Sequence, residues 1–180
     1  IDLIQNEYGC ATSSSEKKHF LDRLSYIAKT IQTDSSFESK FWNQEVSNLQ
    51  AYAENTWLIQ SSSEINNDIR DSQMGKNLIW LSTEMYPNDK IIVWAHNFHI
   101  SKNLKQTKSD TSVMITAGNE LFKELKNEIY ILGFTSLKGT AGRLTVNQKY
   151  KVPRADKFSL EQMISKSNYD YAFIDLKQFE

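Results

Sequence analysis

Residues 90–100 read KIIVWAHNFHI, and this stretch decides which fold the sequence predicts. Ile91 to Ala95 form a continuous apolar run, rich in β-branched residues, that follows the turn residues Pro87-Asn88-Asp89. A short apolar run bounded by turn residues is typical of a strand buried on both faces, as in the parallel sheet of an α/β fold. We therefore expect a strand over Lys90–Ala95, with polar residues directly after its carboxyl end.

The sequence beyond this strand alternates between further apolar runs and helical patterns. Glu128–Phe134 and Tyr169–Leu176 resemble the first run and predict two more buried strands. The intervening segments predict a polar loop over Ser101–Ser112, a helix near Ile115–Lys126, a turn flanked by Gly139 and Gly142 with Arg143–Val146 as a hairpin partner, and a short helix over Ser159–Ile164.

The sequence before the strand predicts long helices. Apolar residues recur at three- and four-residue spacing over Phe20–Ile31, Phe37–Leu58 and Ser63–Tyr86, and glycine (6) and proline (2) are scarce. The combined pattern predicts an α/β fold, with a central, largely parallel sheet layered with helices and with long N-terminal helices. No linker composition divides the chain, so we expect residues 1–180 to form one domain, and an incomplete one.

Composition excludes several classes of protein. The chain has 180 residues, and 21 basic residues balance 22 acidic ones, so we expect neither a nucleic-acid partner nor a charged membrane surface as partner. The apolar runs are too short to span a bilayer. Cys10 is the only cysteine, which excludes an intrachain disulfide and a multi-cysteine metal site. One cysteine fits a reducing compartment such as the cytoplasm and does not exclude export.

Two of the three histidines, His96 and His99, lie directly after the first predicted strand. Ligands of open parallel sheets bind outside the carboxyl ends of strands, so these side chains are candidates for catalysis. An imidazole titrates near neutral pH and can move a proton, while Asn97 can fix a histidine tautomer or donate to an oxyanion. On a continuing strand the two rings face opposite ways, whereas a helix start allows them to converge. The alternatives are structural histidines, or a metal site completed by a carboxylate from elsewhere.

A second candidate segment lies on the preceding helix, where Arg70 and Asp71 border the apolar stripe that contains Met74 and Leu78. A charge at the edge of a core needs a partner, because burying it unpaired is costly. These residues therefore form a helix-to-helix ion pair or lie at a solvated edge, or the arginine orients a carboxylate or binds an anionic group.

Together these segments resemble the erythromycin esterase family. The resemblance rests on Arg70-Asp71-x-x-Met74-x-x-Asn77-Leu78-x-Trp80-Leu81, then residues 90–100, then Tyr130-x-x-Gly133-Phe134, then residues 169–176. It covers about Ile65 to Leu176. The family usually has alanine after the methionine of the first motif, where this chain has Gly75.

The resemblance implies a bacterial hydrolase that opens an ester or a macrolide lactone, an antibiotic-resistance activity, without a metal or another cofactor. His96 and His99 match the family's paired site histidines, and Asn97 is expected to orient them. Arg70 and Asp71 match the helix motif before them. The substrate would be a small-molecule ester.

One part of the family pattern is missing. The family's N-terminal portion carries a Gly-Glu-x-x-His-Gly-like motif whose histidine is the favoured general base, and neither Glu7 nor His19 fits it. We therefore expect the chain to be the C-terminal part of a longer domain, to need the N-terminal segment as its partner, and to be inactive alone. The alternative functions are a non-catalytic ligand- or metal-binding domain that uses the paired histidines, or a purely structural module.

Overall fold

The computed structural model describes residues 13–32, 35–61, 68–102, 115–142, 148–167 and 169–176. The chain divides into two compact units, Ile1–Ile131 and Leu132–Glu180. The first unit is helical. Its helices are α1 (Ser14–Ile31), α2 (Phe37–Ser61), α3 (Asp68–Trp80), α4 (Asn97–Ile100) and α5 (Ala117–Leu125).

Helix α1 begins where its sequence provides a cap. The Ser13 hydroxyl accepts a hydrogen bond from the backbone N–H of Glu16, and the Glu16 carboxylate accepts one from the backbone N–H of Ser13. This reciprocal pair satisfies backbone donors that the first helical turn leaves open. Because Ser13 donates to the Glu16 carboxylate from its side chain and its backbone, the pKa of Glu16 is lowered.

The core of the first unit lies between α1 and α2. Ala53 and Trp57 of α2 are buried, and Phe20, Leu21 and Leu49 pack around them. Phe20 meets Trp57 edge to face, with ring centroids 5.9 Å apart, a geometry that aromatic pairs favour. Phe37 and Phe41 of α2 approach Trp80 and so connect α2 to the end of α3.

Helix α3 is the centre of the unit, because it packs against α2 and α5. Beyond Trp80 it widens into a π-helical turn over Leu81–Met85, which ends before Pro87. Gly75 is buried where α3 meets α5, and a Cβ there would come within 2.5 Å of the Glu120 Cβ and within 3.4 Å of the Ala117 carbonyl. The absence of a side chain at Gly75 therefore sets how closely the two helices approach.

The prediction of an α/β fold with a central parallel sheet is wrong. Among the described residues the only strand pairing is the antiparallel pair β1 (Thr140–Gly142) and β2 (Lys149–Lys151), and the chain is mostly helical. Residues 90–96, expected to include the first strand, are extended without a ladder, and Ile92 is 92% exposed. A strand buried on both faces needs hydrogen-bonding neighbours and covering layers. The described residues supply neither beside this run.

The other two expected strands are also wrong. Residues 126–128 form a 3-10 turn and residues 129–136 are extended without a ladder, while residues 169–176 contain bends and a single 3-10 position. Tyr171 is 94% exposed and Phe173 68% exposed, so this apolar segment is not a core strand. The composition of all three runs indicates a preference for extended backbone, but no partner strand pairs with any of them among the described residues.

The helical predictions are confirmed where residues are described. Helices α1, α2 and α5 occupy the expected segments, and α3 with its π-turn covers residues 68–85 of the expected 63–86. In the second unit, α6 (Leu160–Ile164) begins at the expected Ser159, whose hydroxyl accepts from the Gln162 N–H. Residues 62–67, 103–114 and 143–147 lie outside the described residues. The start of the third predicted helix, most of the predicted loop and the predicted hairpin strand Arg143–Val146 fall there and cannot be compared.

Candidate active site

His96 ends the extended segment and begins α4. Its Nδ1 accepts a hydrogen bond from the backbone N–H of Phe98 at 3.2 Å, and its carbonyl accepts from the backbone N–H of His99 at 2.9 Å. His96 is therefore the N-cap of α4, with its side chain in a place usually held by Ser, Thr, Asp or Asn. Of the two backbone geometries that the sequence allowed for the histidine pair, the structure has the helix start.

His99 lies on α4 and contacts α3. Its Nδ1 is 2.9 Å from Asp71 Oδ1 and 2.8 Å from Asp71 Oδ2. The Asp71 side chain is fully buried, and the His99 side chain is 20% exposed. The Phe98 ring meets the His99 ring edge to face at 5.3 Å between centroids. A buried carboxylate with an imidazole on both of its oxygens is a paired polar group, as burial requires.

These two contacts set the tautomers of the two histidines. A carboxylate accepts hydrogen bonds, so His99 Nδ1 carries a proton and donates it to Asp71, which leaves Nε2 of the neutral ring with a lone pair. His96 Nδ1 accepts from a backbone N–H, so its neutral ring carries its proton on Nε2. One imidazole therefore offers an acceptor and the other a donor, from the two ends of one short helix.

The packing of α5 holds α4 in place. Thr116, fully buried, is the N-cap of α5 and donates its hydroxyl to the Ser101 carbonyl at 2.6 Å. A Cβ on Gly118 would lie 2.1 Å from the Ile100 carbonyl oxygen, so only glycine allows α5 this close to the end of α4. The Asp68 carboxylate accepts from the backbone N–H of Ile115 at 2.9 Å and connects α3 to the start of α5. The pair of Asp71 and His99 thus lies on elements that are fixed to each other.

The five candidate residues from the sequence lie in different environments in the structure. Asp71 and His99 come together, and His96 and Asn97 lie at the start of the same helix. Asn97 is exposed, and its carbonyl accepts from the Ser101 hydroxyl at 2.7 Å. Arg70 is exposed on α3 whereas Asp71 is buried, so the two members of the Arg70-Asp71 motif lie in different environments. The sequence pattern does not single out Thr116 and Gly118, although a threonine directly before a helical run is a recognisable N-cap.

The described part of the chain holds neither a metal site nor a membrane-spanning helix. No group of three or more His, Cys, Asp or Glu side chains within it has the arrangement to hold a metal ion. None of its helices combines the length and the apolar character that crossing a bilayer requires. The Asp71 and His99 pair, with His96 and Asn97 beside it, is the site that the geometry offers for chemistry.

Comparison with known proteins agrees with the motif resemblance. The model of the erythromycin esterase family matches residues 5–180. A protein of Bacillus subtilis (strain 168) named "Putative hydrolase YbfO" is 29% identical over 111 residues, which are 59% of this chain and 25% of that protein. The chain thus matches about a quarter of the length of this relative. No solved structure matches. Since the family model covers nearly the whole chain, the chain belongs to the erythromycin esterase family.

Proposed function

We propose that this chain is part of a hydrolase that uses water to cleave a carboxylic ester or a lactone, a macrolide lactone included. The observation that carries the proposal is the hydrogen bond from His99 Nδ1 to the fully buried Asp71 carboxylate. Such a contact fixes the ring, leaves Nε2 as a proton acceptor, and stabilises the imidazolium that forms when a proton arrives.

The two histidines have separate roles in the proposed reaction. His99 Nε2 shares the removal of a proton from the attacking water with the histidine that the N-terminal segment is proposed to supply, while the water oxygen bonds to the carbonyl carbon. His96 Nε2–H donates to the carbonyl oxygen as it becomes negative, because its other nitrogen is occupied by the Phe98 N–H. The proton on His99 then passes to the leaving alkoxide, which gives an alcohol and a carboxylic acid.

Asn97 and Arg70 are proposed to contact the substrate at the edges of the site. Both are exposed, so both can contact a substrate without rearrangement of the core. Asn97 is proposed to orient the substrate beside the histidines. Arg70 is proposed to bind an anionic or carbonyl group of the substrate from the adjoining turn of α3.

The isolated chain is proposed to be inactive. The relative is about four times as long as the matched segment, and the motif with glutamate and histidine that the family uses is absent from this sequence. The N-terminal segment of the family domain is the proposed partner that supplies both residues. Detectable ester turnover by the purified chain, lost on His96→Ala, would contradict this part of the proposal.

The test of the function joins the chain to a family N-terminal segment that carries the missing motif. Hydrolysis of a p-nitrophenyl ester, a simple lactone and a macrolide is then measured for His99→Gln, His96→Gln and the matched control His19→Gln. His19 is an exposed residue of α1, away from α4. Loss of a positioned proton acceptor typically lowers the rate by about 10²–10⁴-fold, so His99→Gln should lose that factor in kcat. Unchanged kcat in both site variants would refute the hydrolytic role.

The structural-module alternative makes a different forecast for the same variants. If the pair only supports the fold, His99→Gln changes the free energy of unfolding and leaves kcat per folded molecule unchanged. The metal-binding alternative lacks a third ligand among the described residues.

Imidazole ¹⁵N shifts measured on the isolated chain add an independent check of the two tautomers. They should place the proton on Nδ1 of His99 and on Nε2 of His96.

A further inference from the structure

A polar cavity lies on another face of α3, between α2 and α3, with Ile115 at one side. Its volume is about 450 Å³, within the range of small-molecule sites. The residues of α3 that line it include Asp68, Ser72 and Lys76, whereas Asp71 and Gly75 face α4 and α5. The cavity is therefore separate from the candidate active site, and the proposed hydrolysis does not use it.

Hydrogen bonds within the protein occupy N–H donors of the glutamines in this cavity. Gln73 Nε2 donates to Asn48 Oδ1 at 3.1 Å and to Asn77 Oδ1 at 2.9 Å, which uses both of its protons. Gln44 Nε2 also donates to Asn77 Oδ1, and Gln50 Nε2 donates to the Glu54 carboxylate at 2.9 Å. The amide oxygens of these glutamines are therefore the main groups that can still bind a ligand, and they bind it as hydrogen-bond acceptors.

The charged residues of the lining add to that acceptor character. Glu54 and Asp68 contribute two carboxylates, both half-buried. Among the described residues of the lining, Lys76 is the one cationic side chain, and it is exposed. The cavity thus combines a net negative charge with amide and carboxylate oxygens, and the complementary ligand is a positively charged hydrogen-bond donor.

We propose that this cavity binds a small molecule that carries a protonated amine. An ammonium group has three donors and no acceptor, which matches the carboxylate and amide oxygens of the described lining. Glu54 and Asp68 stabilise its charge, and the amide oxygens of Gln44 and Gln73 accept the remaining protons. An anionic ligand of the same size meets two carboxylates, so we expect it to bind more weakly than the amine.

The experiment compares three probes of similar size and different charge: 2-aminoethanol as the cation, ethylene glycol as the neutral molecule, and glycolate as the anion. Each is titrated at neutral pH into the ¹⁵N-labelled chain, and the side-chain amide signals of Gln44, Gln50 and Gln73 are followed by NMR. We expect saturable shifts with 2-aminoethanol, much smaller shifts with ethylene glycol and none with glycolate. Equal responses to all three probes, or no response to the amine, would overturn the proposal.

Variants separate a built site from general attraction between charges. Glu54→Gln should weaken binding of 2-aminoethanol roughly tenfold, because it removes a hydrogen bond to a charged group. Lys76→Gln should tighten binding several-fold, since it removes the competing cation of the described lining, and the fold should stay intact because Lys76 is exposed. Glu124→Gln, an exposed change of equal charge on α5, serves as the control and should leave binding unchanged. Weakening of the same size in Glu54→Gln and Glu124→Gln would mean that overall charge alone causes the effect, which overturns the site.

The result is independent of the hydrolytic proposal. His99→Gln leaves the cavity lining intact, so amine binding should persist in that variant. Amine binding without hydrolysis supports the cavity alone, and hydrolysis without amine binding refutes the cavity alone.

Discussion

Asp71 on α3 and Ile92 in the extended segment each lie in the environment that their side chains usually avoid. The carboxylate of Asp71 is fully buried, whereas Ile92 is 92% exposed. Asp71 is buried because His99 supplies a donor for both oxygens and because α3, α4 and α5 close around the pair. Ile92 is exposed because no described element lies over its segment. Burial in this chain therefore follows the partners that the fold provides, and polarity alone does not predict it.

The largest expected effect is on the buried side of this comparison. Asp71→Ala leaves the His99 Nδ1–H without its acceptor and opens space beneath α4, so the free energy of unfolding should fall by about 3–5 kcal/mol. Urea unfolding of the isolated chain measures the loss. Asp71→Asn is the matched variant, because its Oδ1 can still accept from His99, and it should lose less stability. Equal losses in the two variants would mean that the hydrogen bond to His99 contributes nothing.

The second prediction concerns the packing that holds the pair. Gly118→Ala places a methyl group 2.1 Å from the Ile100 carbonyl oxygen and 2.8 Å from that of Ser101. Both are backbone atoms, so α5 must move away from α4, at a cost of about 3 kcal/mol. Thermal unfolding monitored by circular dichroism measures this cost. Glu124→Ala lies on the exposed face of the same helix and should change stability little, and a stable Gly118→Ala would show that α5 packs more loosely than described.

The third prediction tests the exposed side. Ile92→Ser should change the free energy of unfolding by less than about 0.5 kcal/mol, as surface substitutions usually do. Leu24→Ser is the comparison, because Leu24 is 5% exposed in α1, and it should cost about 3 kcal/mol. A large loss from Ile92→Ser in the isolated chain would show that the segment is buried after all.

The same contrast explains how much could be predicted from sequence. Helices were predicted well, because spacing of apolar residues and caps such as Ser13 and Ser159 are local signals. The prediction of a strand over Lys90–Ala95 was wrong. An apolar run indicates a preference for extended backbone, but it does not indicate whether another strand lies beside it. The need of Asp71 for a partner could be inferred from its helical face. The identity of that partner as His99 depends on how α4 packs, which no local pattern contains.

The smallest predicted effect lies in the second unit, where most of the large apolar side chains that the structure describes are exposed. Glu161 on α6 accepts hydrogen bonds from the hydroxyls of Thr135 and Ser159, and these contacts lower its pKa, Thr135 most. A carboxyl group whose folded pKa is depressed stabilises the fold above its unfolded pKa. It loses that contribution as the pH falls through the folded pKa.

Thr135→Val removes the larger of the two donors and keeps the shape of the side chain. The pKa of Glu161 should rise towards its ordinary value, and the acid-side dependence of stability should shrink accordingly. Carboxyl ¹³C shifts followed over an acid titration measure the change directly. Glu16, whose pKa is lowered by Ser13 in the other unit, is the internal reference and should titrate as before. If the pKa of Glu161 stays low in Thr135→Val, then Ser159 and the start of α6 account for the lowered pKa. The hydrogen bond between Thr135 and Glu161 would then contribute nothing to it.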